Sequence, residues 1–171
     1  MFVHIPGLHN SDSDHWQSQF ERRAPQASLR VVQDHWDAPE CAAWVERIEA
    51  TLAPLPHAAL VLTGHSIGCM AIAHWAAKLG HVVKGALLVA PSDGEREGYP
   101  KSIQGFARLM LDRLPFPSIV VGSTNDHVTS ASSRTFFSRN RYKLSEYSAT
   151  HWLYSDTVMG RVQRWDAPGF V

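Results

Sequence analysis

The sequence predicts an α/β fold: a mostly or fully parallel six-stranded sheet flanked by helices on both faces. Three observations predict it. Short apolar runs alternate with stretches of helical periodicity, as βαβ units require. The runs are continuously apolar, as in strands covered on both faces. One of them leads through a sharp glycine-flanked turn, Gly64-His65-Ser66-Ile67-Gly68, into a helical stretch.

The elements follow in order. Phe2 to Ile5 is the first strand, stopped by Pro6-Gly7. A helix over Asp14 to Arg23 places Trp16 and Phe20 four apart on one face. Leu29 to Val32 is the second strand. Asp37-Ala38-Pro39-Glu40 reads as a helix start, with Asp37 as N-cap, an early proline and Glu40 three residues on. Cys41, Trp44, Val45, Ile48 and Leu52 then recur at helical spacing, so one face is buried, and Pro54 and Pro56 end that helix. Ala59 to Thr63 is the third strand, and Cys69 to Ala77 continues as helix. Gly85 to Ala90 is the fourth strand. Pro117 to Val121 is the fifth, and about Tyr142 to Tyr147 the sixth. Between the fourth and fifth, Ile103, Phe106, Ala107, Met110 and Leu111 have helical spacing and predict a helix covering the core, the alternative being a mobile lid.

The chain of 171 residues is expected to form one domain, residues 1–171. Sixteen basic and sixteen acidic residues cancel, which argues against a nucleic-acid footprint. No apolar run reaches the length of a membrane span. The first residues lack the basic and apolar regions of a signal peptide, so a cytoplasmic location is expected. Cys41 and Cys69 have no C-x-x-C spacing and read as reduced packing residues.

Chemistry is concentrated at G-x-S-x-G between strand and helix, the nucleophile elbow, with Ser66 as candidate nucleophile. A serine hydroxyl needs an imidazole base, and the base needs an acid to hold its tautomer. The chain order Ser, acid, His is met by Ser66, Asp126 and His151. Asp126 follows the fifth strand and His151 the sixth, so all three are expected at the C-terminal edge of the sheet, where ligands bind in open parallel sheets. Asp93, after the fourth strand, is the alternative acid, or else a turn residue. His127 is the alternative base. The oxyanion requires two N–H donors. Ile67, next to the nucleophile, would supply one. Leu8, in the loop after the first strand, would supply the other if that strand lies between the second and third. His9, His65 and Trp152 are candidate substrate contacts. No H-E-x-x-H-like spacing suggests a metal, and this chemistry needs no cofactor.

With these pieces in place the chain resembles the small, lidless α/β-hydrolases of the YdeN/retinoblastoma-binding-protein-9 type. The resemblance covers almost the whole chain. It is carried by Ile5-Pro6-Gly7, Asp14-His15-Trp16-Gln17, Gln33-Asp34-His35-Trp36-Asp37-Ala38-Pro39, the elbow, Gly85 to Pro91, Leu114-Pro115-Phe116-Pro117-Ser118 and Ser123-Thr124-Asn125-Asp126. It implies a serine-hydrolase triad, here Ser66, Asp126 and His151, and activity on simple carboxylic esters. The short insertion between the fourth and fifth strands adds the expectation of an open site for small or short-acyl esters. The expected partner is a small-molecule ester, with no nucleic acid and no membrane. The chain departs from the family after the histidine, where Thr150-His151-Trp152-Leu153-Tyr154 replaces a Gly-His-Ile-Asn-like segment. That departure motivates the alternative: a hydrolase fold that binds a ligand or protein without turnover.

Overall fold

The computed structural model describes residues 1–107, 114–123 and 143–147. Six strands are joined in one sheet: β1 (Phe2–Ile5), β2 (Ser28–Arg30), β3 (Val61–His65), β4 (Gly85–Val89), β5 (Ser118–Ser123) and β6 (Lys143–Tyr147). Their order is β2-β1-β3-β4-β5-β6, and every pairing is parallel. Three helices connect the first strands: α1 (Trp16–Arg23), α2 (Cys41–Leu52) and α3 (Ile67–Leu79).

Side chains alternate across each strand, so one strand feeds two cores. Val3, Ile5, Leu62, Ala86, Leu88 and Val120 pack under α2 and α3 with Trp44, Ile48, Met70 and Ile72. Leu87, Val89 and Val121 point the other way, onto Trp16 and Phe20 of α1. Each large apolar side chain buried this way contributes roughly 1.5–3 kcal/mol. Polar residues also occupy the α1 side. His4 is wholly buried beneath Phe20, with ring centroids 5.2 Å apart. Burial, reinforced by the charge of Arg30, pulls its imidazole down to about 3.

Several elements differ from the sequence expectation. β2 is Ser28–Arg30, not Leu29 to Val32. The chain leaves the sheet after Val31, and Val32 is exposed. The N-cap of α2 is Glu40, not Asp37: its carboxylate accepts from Ala42 N (3.0 Å) and Ala43 N (2.8 Å). β3 runs to His65 and so carries the first two residues of the elbow motif. The apolar residues from Ile103 do not begin a helix within the described part. Gly105 has φ 77°, and Gln104 instead pairs with the α2 entry, donating to Pro39 O (2.9 Å) and accepting from Cys41 N (3.0 Å). Met110 and Leu111 lie outside the described residues. Cys41 and Cys69 are free and buried.

Candidate active site

Ser66 alone joins β3 to α3, with φ 52° and ψ −123°. An L residue adopts positive φ only where its surroundings enforce it. Here the surroundings are close. A Cβ at Gly64 would lie 2.9 Å from Cys69 Cα, and one at Gly68 would lie 2.2 Å from Ile5 O. Both flanking positions therefore exclude a side chain. Ser66 N donates to Val89 O (3.1 Å), which fixes the turn to β4.

Among the described residues, four non-glycine residues have positive φ: His9, Asn10, Ser66 and Ala90. All follow the C-terminal ends of β1, β3 and β4, three adjacent strands. Each costs of order 1–3 kcal/mol, and such outliers cluster where geometry serves function.

The loop after β1 closes on the elbow because β1 lies between β2 and β3. A Cβ at Gly7 would lie 2.9 Å from Ser66 Cβ and 3.0 Å from His65 O. Only glycine lets the two backbones meet. His9 N donates to Trp36 O (3.1 Å) and Asn10 N to Gly7 O (3.2 Å), whereas Leu8 N–H donates to no protein atom among the described residues. Ile67 is the first residue of α3, where an N–H has no acceptor one turn back. Two N–H groups without a protein acceptor are thus left on the two segments that meet at Ser66. The helix N-terminus adds partial positive charge in the same place.

On the other side, Ser92 N lies 3.4 Å from Ser66 O as donor, bringing the segment after β4 against the elbow. Asp93, the alternative acid, is buried there, and its Oδ1 accepts from Glu95 N (2.9 Å) as a turn residue does. Below the turn, Cys69 donates to Val89 O (3.4 Å), and burial raises its thiol far above the ordinary range. That thiol is no competing nucleophile.

The structure therefore brings Ser66, at the head of α3, against the loop that carries Gly7 and Leu8. His9 sits at the rim, its Nδ1 2.6 Å from Asp37 Oδ1, with both side chains exposed. Asp37 lies three residues before the Glu40 cap, too far from the first turn of α2 to cap it. His65 is 3 % exposed and stands edge-on to His15 at 4.5 Å, so it supports the loop from beneath rather than offering an open face. His74 packs near Phe106. Asp126, His127, His151 and Trp152 lie outside the described residues. β5 ends three residues before Asp126 and β6 four before His151.

Reading the sequence for nucleophile, base and acid passes over His15, Gln17 and Arg30. His15 caps α1 by accepting from Gln17 N (3.3 Å). Gln17 is wholly buried and donates to Ile5 O (3.3 Å) and Thr63 O (3.0 Å). Its one sequence signal is an amide beside Trp16, on the helix face that packs against the sheet. Among the described residues, no group of three or more His, Cys, Asp or Glu is placed to hold a metal, and no helix is long and apolar enough to cross a membrane.

The sequence model of a family described as serine hydrolase matches residues 2–142. Among solved structures, the chain is similar to a YdeN-like hydrolase from Pectobacterium atrosepticum, with 29% identity, 89% of this chain and 79% of that chain covered, and a TM-score of 0.74. Est1E from Butyrivibrio proteoclasticus, solved with ferulic acid bound, is similar at 13% identity over 95% of this chain and 84% of that one, with a TM-score of 0.67. Alpha/beta hydrolase domain-containing protein 10 from mouse is similar at 12% identity over 94% and 85%, with a TM-score of 0.69. These last two show a shared fold. No curated protein sequence matches.

Proposed function

The chain belongs to the serine hydrolase family, and on that premise we propose that it cleaves small carboxylic esters through an acyl-enzyme on Ser66. The observation that carries the reading is the backbone of Ser66 at φ 52° and ψ −123°, at the start of α3 and against the loop that carries Gly7. His151 takes the hydroxyl proton as Oγ attacks the ester carbonyl. Leu8 and Ile67 N–H groups hold the tetrahedral oxyanion, a contribution of roughly 3 kcal/mol per donor. His151 then gives the proton to the departing alcohol. Water hydrolyses the acyl-enzyme by the same steps reversed in role. Asp126 orients His151 and stabilises its imidazolium. His9, exposed at the rim, and Trp152 are the side chains assigned to substrate contact in this reading.

A fluorophosphonate probe followed by peptide mass spectrometry tests this. The expected result is an adduct on Ser66, absent in Ser66→Ala and lost in His151→Ala. Folded protein without an adduct would overturn the reading and leave a ligand-binding module. A clear preference for long-chain esters over acetate and butyrate would remove the short-acyl part alone.

A further inference from the structure

We propose that Gln17 and Arg30 are positioning residues of the oxyanion hole, holding the left-handed turn at His9 and Asn10 that presents Leu8 N–H to Ser66. The inference rests on Leu8 being an oxyanion donor.

The turn is costly as built. His9 and Asn10 are consecutive non-glycine residues at φ 63° and 67°. A left-handed L residue costs roughly 1–2 kcal/mol, so two in a row need external support. Arg30, on β2, supplies it. Its guanidinium has five N–H donors, and all five are used. Nε and Nη2 donate to the two oxygens of Glu21, at 2.7 and 2.8 Å. Nη2 also donates to Ser18 Oγ (2.7 Å). Nη1 donates to Asn10 Oδ1 (2.9 Å) and Ser11 O (3.0 Å). The forked pair with Glu21 already docks β2 on α1. The two bonds from Nη1 do something else: they grip the end of the loop just past Leu8.

Gln17 grips the same end from below. Its Oε1 accepts from Ser11 Oγ (2.7 Å), while its amide nitrogen holds Ile5 O at the end of β1 and Thr63 O on β3. Ser11 O also accepts from Ser18 Oγ (3.0 Å). One buried amide thus links the strand before the loop, the strand before the elbow and the residue that ends the loop. Every polar hydrogen of both side chains is committed, so the loop has one arrangement relative to Ser66. Displacing a transition-state donor by about 1 Å costs on the order of a hundredfold in rate.

The test uses the full-length protein and benzeneboronic acid. Its trigonal boron takes an electron pair from Ser66 Oγ, the hydroxyl proton passes to the base, and the resulting tetrahedral adduct loads the oxyanion hole. Arg30→Lys keeps the charge opposite Glu21 but loses the fork. Asn10→Ala leaves Arg30 intact, removes its partner on an accessible loop, and stands in should the arginine variant fail to fold. Both are expected to lower kcat for butyrate ester hydrolysis about tenfold to a hundredfold, with KM within about twofold. Boronic acid affinity should fall by the same factor. Asn10→Gly added to Arg30→Lys should recover much of the kcat, since glycine takes positive φ without a clamp. Unchanged kcat in both single variants, a loss confined to KM, or a kcat loss without a matching loss of boronic acid affinity would each overturn the inference while leaving the esterase reading intact. A wild-type protein that neither hydrolyses esters nor takes the fluorophosphonate would overturn both.

Discussion

His4 and Thr63 face each other across β1 and β3 as register partners, and His4 Nδ1 and Thr63 Oγ1 share a 2.7 Å hydrogen bond. The imidazole is wholly buried and stays neutral down to about pH 3. Its unfolded counterpart titrates near 6.5. Between these values the unfolded chain binds the proton and the folded chain does not. Stability from this residue is therefore complete above about pH 6.5 and falls as pH drops towards 3, at up to about 1.4 kcal/mol per pH unit. Urea unfolding from pH 7 to 4 should show this slope. His4→Phe should flatten it relative to wild type, with the Thr63 hydroxyl still donating to Val3 O (3.5 Å). Parallel slopes for the two proteins would refute the assignment.

Ser66→Gly should raise stability by about 1 kcal/mol relative to Ser66→Ala, because glycine takes positive φ freely. Both variants should be inactive. Equal urea midpoints would mean that the elbow stores no strain.

Two glycines with different surroundings should respond differently. A Cβ at Gly68 would meet Ile5 O at 2.2 Å and Pro6 O at 2.5 Å, both backbone atoms. Gly68→Ala is expected to cost about 3 kcal/mol and to move the loop after β1 away from the elbow, reducing kcat. Gly80, the left-handed residue ending α3, has open space around it. Gly80→Ala should cost only about 1 kcal/mol, the price of positive φ, and leave ester hydrolysis unchanged. Thermal melts with parallel activity assays check both.

The thiols should be silent in the native state. Burial, helped by the charge of Glu40, pushes Cys41 up to about 11, and Cys69 lies higher still. Ellman's reagent at pH 8 should titrate no thiol until denaturant is added, and two afterwards. Rapid reaction in native buffer would contradict the burial of both residues.

Much of this architecture was legible because local patterns and tertiary demands agree. The apolar face of α2 reads directly as Cys41, Trp44, Val45, Ile48 and Leu52, and all five are buried. The elbow was legible because its glycine spacing is itself a local pattern, although the crowding behind it comes from α3 at Gly64 and from Ile5 and Pro6 at Gly68. What could not be read depends on distant partners. Asp37 resembles a helix cap, but α2 starts only at Cys41, where Glu40 caps and the distant Gln104 pairs with the entry. Ile103 and Phe106 keep helical spacing, yet Gln104 pairs with the entry to α2 and Gly105 turns left-handed. Val31 and Val32 look like strand, but β1 accompanies them only as far as Val31 N, which donates to His4 O (2.9 Å). Gln17 and Arg30 gave no local hint of the loop they hold, since their partners are spread over β1, the loop after it, α1 and β3.

The two acceptors of Gln17 also differ in when they exist. Ile5 O is made before the glutamine and Thr63 O long after it. As the chain emerges from a ribosome, β1, α1 and β2 are available together, and Arg30 can close on Glu21, Asn10 and Ser11 at once. Until β3 pairs with β1, the second Gln17 amide hydrogen has only water as a partner. The β1–β3 pairing and the Gln17 bond to Thr63 O thus depend on the same strand. A chain arrested before residue 61 carries the loop but nothing for it to close upon.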